Sequence, residues 1–354
     1  MQSSETSSSV LQIDGATGEG GGQIIRNALA LSAISGRAVE IVNIRAGREK
    51  PGLQPQHLTA VRAIAELCTA RLDGDTPGSL RLHFVPTTSV RPGHYAWQIG
   101  TAGATALVLQ TVLLPLCVAG GPSQLTIGGG THVPAAPTAD YLQQVYLPAL
   151  ARVGLQATLT CPAAGFYPRG GGEIRVQIDG NASLAPVHMV ERGRLRSLRA
   201  WIVTSNLPDH VAERGAAAIA QFMKGIGRTV DIEPVRLPSP GTGATVLIAA
   251  ECAGGLGGFT GMGRRGLPVE KVALAPCEAF LQWWKTGAAC DDHLADQLVL
   301  PAVLARGESQ WTVAQATSHL RTALWLARQF QLIDYALQEP AGAPVQVIVR
   351  PRTE

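Results

Sequence analysis

Several motifs that mark common enzyme classes are absent from this chain of 354 residues. It has no GxxxxGK[ST] loop and no GxGxxG followed by an acidic residue about 20 positions later, so the usual nucleotide-binding signatures do not apply. It also lacks HExxH, zinc-type Cys/His spacing and a Ser-His-Asp order, which argues against metalloproteases and triad hydrolases. The chemistry of the chain therefore has to be inferred from its glycines, arginines, histidines and carboxylates.

The six cysteines are scattered, with no CxxC pair among them, and no N-terminal segment has the apolar core of a secretory signal. Reduced, buried thiols in a cytoplasmic protein are therefore predicted. Residues 1–9 are rich in serine and are predicted to form a disordered tail. The apolar stretch 102–120 contains Gln110 and Pro115 and lacks flanking anchors, so it is predicted to be a buried helix, with no membrane as a partner.

Charged residues make up only 16% of the chain, hydrophobic residues make up 46%, and the formal net charge is +3. This composition predicts a compact globular protein with a large core. The weak positive charge allows an anionic partner but does not require a nucleic-acid coat. Arginine supplies most of the positive charge, and its planar guanidinium suits bidentate contacts with phosphate groups.

A pattern of strand, helix, strand, helix, strand, strand recurs along the chain. It predicts an α/β (α+β) fold built from three βαβαββ-type units that share one core. Residues 10–183 and 286–354 are predicted to form this large domain. Residues 184–285 break the pattern and are predicted to form a small inserted α/β domain, in which 254–266 is expected to be a glycine-rich hairpin or loop.

The chain is organised around a glycine-rich opening at residues 14–26, where a strand-like segment runs into five glycines and then a helix. Glycine lets the backbone approach a ligand, and the free N–H groups at a helix start attract anions. Glu19 within this turn would repel a bare phosphate, so a metal ion beside it is the better interpretation. A plain tight turn is the alternative.

Two other acidic and basic features point the same way. Arg45 and Arg48 lie in a proline-stiffened loop and can each bind phosphate oxygens, although a solvated turn is the alternative. Asp296 lies one turn into a helix of the third unit, where it can pair with Glu19 to hold Mg²⁺ or Mn²⁺. Helix capping is the competing interpretation for aspartates in this region.

Two histidines open corresponding helices, His57 in the first unit and His319 in the third. An imidazole can act as a base, a ligand or a nucleophile near neutral pH, and its attack on phosphorus gives a reactive phosphoramidate. A structural role is the alternative for a single histidine. The residues alone leave both interpretations of His319 open.

Four stretches, in this order, resemble the RNA 3′-terminal phosphate cyclases. They are DGATGEGGGQ at 14–23, IRAGR through QHL at 44–58, GFYPRGGG at 165–172 and HLADQ at 293–297. The resemblance runs from about residue 11 to the C-terminus. It implies a repeat-built fold similar to that of the enolpyruvyl transferases, with a thioredoxin-like inserted domain.

The resemblance also implies a reaction. ATP adenylates an active-site histidine, the AMP passes to an RNA 3′-phosphate, and the vicinal 2′-hydroxyl closes a 2′,3′-cyclic phosphodiester. The implied partners are ATP, RNA with a 3′-phosphate end, and Mg²⁺ or Mn²⁺, with a homodimer left open as the oligomeric state.

Residue by residue, the resemblance assigns the nucleophile to His319 and the metal to Glu19 and Asp296. It assigns the remaining catalytic and phosphate-binding set to Arg26, Arg45, Arg48, Gln56 and His57. It assigns the nucleotide pocket to Gln110, His293, Leu294, Ala295, Asp296 and Gln297.

Two rival functions stay open at this point. One is a non-catalytic, cyclase-like ribosome-assembly factor, a class of relatives that lacks the nucleophilic histidine. The other is an enolpyruvyl transferase, which lacks both the sequence context of His319 and the inserted domain. His319, Glu19 and Asp296 together favour the enzyme.

Overall fold

The structure is a computed structural model that describes residues 10–352. The predicted disordered tail at residues 1–9 lies outside the described residues. Residues 10–352 contain four mixed sheets of four strands each. Three of these sheets belong to three repeats of one plan, and the fourth belongs to the insert.

The first repeat has the predicted order of elements. It contains β1 (Leu11–Asp14), α1 (Gly22–Ser35), β2 (Val39–Val42), α2 (Pro55–Leu67), β3 (Arg71–Asp73) and β4 (Leu82–Val85). The sheet order is β1-β2-β4-β3, in which β1 and β2 are parallel and the other pairs are antiparallel. A parallel pair needs a crossover connection, and α1 supplies it.

The second repeat has the same topology. It contains β5 (His94–Gln98), α3 (Thr105–Cys117), β6 (Ser123–Gly129), α4 (Ala139–Tyr141), a π-helical segment (Leu142–Tyr146), α5 (Leu147–Ala151), β7 (Ala157–Ala163) and β8 (Gly172–Ile178). Its sheet order is β5-β6-β8-β7, again with one parallel pair. Every side chain of α3 except Gln110 is buried, which confirms the predicted buried helix. Among the described residues, no helix is long and apolar enough to cross a membrane.

The third repeat is split by the insert. Its first strand, β9 (His188–Met189), precedes the insert. The insert contains β10 (Leu195–Ser205), α6 (Asp209–Gly225), β11 (Asp231–Arg236), β12 (Gly243–Cys252), β13 (Leu256–Met262) and α7 (Val269–Thr286). The repeat then continues with α8 (Asp292–Gln297), α9 (Val299–Leu304), β14 (Ser309–Val313), α10 (Ser318–Gln329), β15 (Ile333–Gln338) and β16 (Val345–Pro351).

The third sheet, β15-β16-β14-β9, pairs β9 with β14 in parallel, as β1 pairs with β2 in the first repeat. Three copies of one topology confirm the predicted α/β class and the repeat plan. The domain boundaries at 184 and 285 stay a prediction, and β9 lies inside that range although it completes the third sheet. The strand β9 has only two residues, too few to show the alternation that marks a strand in a sequence, so it gave no strand signal.

The core joins all three repeats. A single hydrophobic cluster takes side chains from α1, α2, α3, the π-helical segment and α10. The insert has a second cluster between its sheet and the helices α6 and α7. Alternation along β12 divides the two, because Val246 and Ile248 face the insert's helices while Leu247 and Ala249 pack on the main core.

The glycine-rich segment 254–266 forms the turn and the second strand of a hairpin, the first of the two forms predicted for it, and not a loop throughout. Leu256–Met262 forms β13, which pairs with β12 over seven consecutive residues. Main-chain hydrogen bonds hold the strand although it has no run of β-branched residues. The strand packs against α7 and the π-helical segment, and these tertiary contacts outweigh the turn signal of its glycines.

The cysteines yield a first prediction. All six are free thiols, and only Cys161 is partly exposed. Burial raises the pKa of Cys68 to about 11 and the pKa of Cys161 and Cys277 to about 12. Because the thiolate is the reactive form, the native protein is expected to react slowly with Ellman's reagent at pH 8, whereas all six thiols react in guanidinium chloride. Rapid titration of two or more thiols in the native protein would contradict this burial.

Candidate active site

The glycine-rich loop between β1 and α1 leaves the first turn of α1 uncapped. Gly21 occupies the N-cap position and has no side chain with which to cap the helix. The first N–H groups of α1 are therefore available to a ligand, and the helix dipole favours an anion there. Gly18 has φ +60°, and a Cβ at this position would lie 2.3 Å from Thr322 Oγ1. The loop thus packs tightly onto α10 of the third repeat.

Glu19 lies in this loop and is held from two sides. Its backbone N–H donates to Thr322 Oγ1 over 3.0 Å. Its carboxylate forms an ion pair with Arg48, whose Nη2 also donates to the Glu19 carbonyl over 2.8 Å. The side chain is 11% exposed. Within residues 10–352, Glu19 Oε2 is buried without a hydrogen-bond partner, so the carboxylate retains an unused acceptor.

The two arginines of the β2–α2 loop have different surroundings. Arg45 donates through Nη1 to the carbonyls of Lys50, at 2.5 Å, and Gly52, at 3.1 Å. This guanidinium therefore closes its own loop, in addition to any contact with phosphate. Arg48 reaches across to Glu19 and links the second loop of the first repeat to the first.

Gln23 joins the first and third repeats at the centre of the site. This residue is 4% exposed and lies in the first turn of α1. Its Nε2 donates to Asp296 Oδ2 over 2.7 Å. Its Oε1 lies 3.1 Å from Nδ1 of His319. One amide thus connects the carboxylate of α8 with the imidazole of α10.

His319 lies at the exposed start of α10, which Thr317 caps by accepting a hydrogen bond from the Leu320 N–H. Partial burial lowers the pKa of His319 below its ordinary value of 6.5, and the nearby Glu19 opposes this effect. The charges of Arg26, His293 and Arg48 lower the pKa further. The imidazole is therefore neutral at and above pH 7, with a lone pair on one ring nitrogen.

Arg26 and Asp296 form a half-buried pair of opposite charge beside His319. Burial lowers the pKa of Arg26 to about 10, an effect opposed by the charges of Asp296 and Glu19. Burial also raises the pKa of Asp296 to about 7, with Arg26 opposing and the nearby Asp291 reinforcing the shift. His319 and Asp296 of the third repeat and Glu19 of the first therefore share one electrostatic environment.

The raised pKa of Asp296 makes a prediction about stability. The folded protein binds a proton on this group between pH 3.8 and about 7, where the unfolded chain does not. The stabilisation is complete below the unfolded value and is lost as pH rises through the folded value. Asp296→Asn is therefore expected to raise the Tm relative to wild type, and to raise it more at pH 8.5 than at pH 5.5. An equal difference at the two pH values in thermal melts would contradict the raised pKa.

Gln56 and His57 lie at the start of α2. His57 Nδ1 accepts from the Gln54 N–H over 3.1 Å, which leaves the proton on Nε2. Burial first, and the charges of Arg45 and Arg26 next, lower the pKa of His57 to about 3. A Cβ at Gly22 would lie 2.5 Å from His57 Nε2, so this neutral N–H donor faces the start of α1.

Gln56 extends the site towards the second repeat. Its Oε1 accepts from the backbone N–H of Ala104 over 2.9 Å, and Ala104 is the N-cap residue of α3. Gln110 lies further along α3, and its Nε2 is buried without a hydrogen-bond partner among residues 10–352. No hydrogen bond within the described residues joins Gln110 to Gln23, Asp296 or His319.

The predicted nucleotide-pocket stretch on α8 divides into two sets. Leu294 and Ala295 are fully buried in the main core, so their side chains hold the helix in place. His293, Asp296 and Gln297 are the members with side chains left to face a ligand. Gln297 Oε1, like the orphaned atoms above, is buried without a partner in the described part of the chain.

Comparison with known proteins identifies the family. The sequence profile of the family "RNA 3′-terminal phosphate cyclase" matches residues 17–337. The chain belongs to this family. A protein named RNA 3′-terminal phosphate cyclase from Nostoc punctiforme is 44% identical over 336 residues, 93% of this chain and 97% of the relative.

Further relatives of the same name have similar coverage. The one from Methylococcus capsulatus is 45% identical over 347 residues, 96% of both chains, and the one from Salmonella agona is 42% identical over 341 residues. A solved structure, the enolpyruvyl transferase NikO from Streptomyces tendae, matches 47% of this chain at 14% identity with a TM-score of 0.26. That score is too low to support an argument.

The cyclase-family chain has a donor set that fits a divalent cation together with phosphates. Glu19 Oε2 is a buried, unpartnered oxygen next to the uncapped start of α1, and its carboxylate pairs with Arg48 and acts electrostatically on Arg26 and Arg45. Within residues 10–352 no group of three or more His, Cys, Asp or Glu side chains forms a metal cage. Mg²⁺ is usually held by one or two carboxylates and by substrate phosphates, so Glu19 fits it without such a cage.

Sequence reasoning missed three features of this cyclase-family site. The sequence places Gln23 only within the glycine motif, although a glutamine in the first turn of a largely apolar helix is a recognisable signal. Thr322, the acceptor for the Glu19 N–H, gave no signal because it lies 303 residues away in sequence. Asp291 caps α8, which confirms the capping interpretation for this residue, but the hydrogen bonds that it accepts from Tyr141 Oη and the Gly258 N–H gave no local signal.

Proposed function

We propose that this chain converts an RNA 3′-terminal phosphate to a 2′,3′-cyclic phosphodiester with consumption of ATP, and that His319 accepts the AMP group. Family membership supports the overall activity. The observation that supports the assignment of His319 is its position: one amide joins its imidazole to Asp296, and Glu19, Arg26 and Arg48 surround it.

The first step of the proposed reaction is attack of a neutral His319 ring nitrogen on the α-phosphorus of ATP. The nitrogen–phosphorus bond forms as the bond to pyrophosphate breaks, and pyrophosphate leaves. Phosphoryl transfer depends mainly on alignment and on neutralising charge. The N–H groups at the start of α1, the guanidinium of Arg48 and the Nε2–H of His57 would align the phosphates and neutralise their charge.

In the second step an oxygen of the RNA 3′-phosphate attacks the same phosphorus, and the bond to His319 breaks. In the third, the vicinal 2′-hydroxyl oxygen attacks the RNA phosphorus and loses its proton to solvent, and AMP leaves with the bonding electrons. This closure is intramolecular, so the adenylate serves mainly to make a good leaving group.

Glu19 and Asp296 are the residues that would hold Mg²⁺ or Mn²⁺. A bound divalent cation supplies charge neutralisation for the phosphates. The orphaned Gln110 Nε2 and Gln297 Oε1 are a donor and an acceptor that a nucleotide would satisfy, which supports their predicted place in its pocket. His293, exposed on α8, would lie beside the nucleotide.

The test of this proposal uses an RNA oligonucleotide that carries a ³²P-labelled 3′-terminal phosphate. With ATP and Mg²⁺, wild-type protein is expected to make the label resistant to alkaline phosphatase and to release AMP and pyrophosphate. Omission of ATP is the control. If the label stays phosphatase-sensitive and ATP labelled at the α-phosphate never marks the protein, the enzyme proposal is wrong and a non-catalytic assembly factor becomes the better account.

A cytoplasmic location and a homodimer stay predictions. The six free thiols support a reducing compartment.

A further inference from the structure

We propose that Gln23 is a positioning residue that sets the tautomer of His319, so that Nε2 is the nitrogen that attacks the α-phosphorus. The inference rests on the proposed role of His319 as nucleophile. It adds a residue to the mechanism and names the atom through which that residue acts.

The argument begins with the orientation of the Gln23 amide. At pH 8.5, the pH of the test below, Asp296 is a carboxylate and only accepts hydrogen bonds, so the atom of Gln23 that lies 2.7 Å from Asp296 Oδ2 must be the donor, Nε2. The oxygen Oε1 must then be the atom that lies 3.1 Å from Nδ1 of His319. Burial of Gln23 at 4% exposure holds the amide in this orientation.

The orientation of the amide decides the protonation of the imidazole. Oε1 can only accept, so Nδ1 of His319 must carry the proton that is donated to it. In a neutral imidazole the other nitrogen, Nε2, is then unprotonated and carries the lone pair. Free histidine favours the opposite tautomer, so the protein has to select this one.

The position of Gln23 suits this task better than a direct contact with Asp296 would. A carboxylate bound directly to Nδ1 would favour the imidazolium, which is not nucleophilic. The amide transmits the orientation set by Asp296 but carries no charge to His319. The first turn of α1 and the first turn of α10 therefore meet through a neutral group.

The test reads the tautomer directly and needs no ATP. Long-range ¹H–¹⁵N NMR spectra of ¹⁵N-histidine-labelled full-length protein are recorded at pH 8.5, with His319 assigned by its loss in His319→Ala. Wild type is expected to show the Nδ1–H form. Gln23→Leu removes the acceptor while keeping the bulk, and the His319 signals are expected to shift towards the Nε2–H form.

Gln12→Leu is the matched control, because Gln12 also donates from its amide to a carboxylate, that of Glu40, but on the exposed face of β1. It is expected to leave the His319 signals unchanged. Gln23→Glu keeps an acceptor opposite Nδ1 and is expected to keep the proton on Nδ1 at pH 8.5, while its charge raises the pKa of His319 relative to wild type. A purely structural role for Gln23 does not predict this rescue.

Single-turnover labelling with α-labelled ATP connects the tautomer to the chemistry. Gln23→Leu is expected to slow AMP transfer about 10- to 100-fold, with ATP binding changed far less. If wild type transfers AMP but its His319 is in the Nε2–H form, or if Gln23→Leu leaves the tautomer unchanged, the inference is wrong while the proposed function stands. If the tautomer behaves as expected but wild type never accepts AMP, the proposed function has failed.

Discussion

Replacing His319 with alanine is expected to abolish labelling of the protein by α-labelled ATP, a loss of at least about 1,000-fold, because a covalent step cannot proceed without its nucleophile. The measurement is acid-quenched incorporation of label in the presence of Mg²⁺. The wild-type adduct should be labile to acid and stable to alkali, as a phosphorus–nitrogen bond is. Formation of the cyclic RNA product should fall in parallel.

The matched control for this variant is His210→Ala. His210 is also exposed and also occupies the second position of a helix, α6 of the insert. It is expected to keep wild-type labelling. An equal loss in both variants would point to a general effect on folding, and retained labelling in His319→Ala would move the nucleophile to another residue. A thermal melt of each variant separates loss of fold from loss of chemistry.

Glu19→Gln is expected to have the second largest effect, a fall in AMP transfer of about 100- to 1,000-fold. The substitution keeps the size of the side chain and leaves the backbone bond to Thr322 in place. It removes the negative charge that balances Arg48 and the unpartnered oxygen that fits a cation. The Mg²⁺ concentration needed for half-maximal labelling should rise as well.

Glu40→Gln is the control for this second variant. Glu40 accepts hydrogen bonds from Arg81 and Gln12 on the surface of the first sheet. Its replacement is expected to leave AMP transfer and its Mg²⁺ dependence unchanged. If Glu19→Gln keeps a wild-type rate and the same Mg²⁺ dependence, then Glu19 serves only to hold Arg48, and the metal assignment is wrong.

The candidate site explains why the fold keeps a carboxylate, Asp296, that destabilises it when ionised. Asp296 is only half-exposed and its pKa is raised to about 7 by burial. Replacing it should stabilise the protein at high pH but remove the group that orients Gln23. A gain in stability with a loss of function is the expected signature of a residue kept for chemistry.

The sequence determined the fold plan because strand and helix periodicities are local. The repeated order of elements, the buried helix at α3 and the glycine loop before α1 all follow from spacing within a few residues. Motif resemblance added the family and the list of site residues. It also placed His319 and Glu19 in separate repeats, with no information on the atoms that join them.

Tertiary structure decided the rest, since the groups concerned lie far apart in sequence. Gln23 reaches Asp296 across 273 residues and His319 across 296, and only the packing of α1 against α10 brings them together. Pairing with β12 made β13 a strand despite its glycines, and pairing with β14 gave β9 a partner beyond the insert. Local pattern can indicate which residue carries chemistry, but a hydrogen bond between distant repeats exists only once their helices are packed.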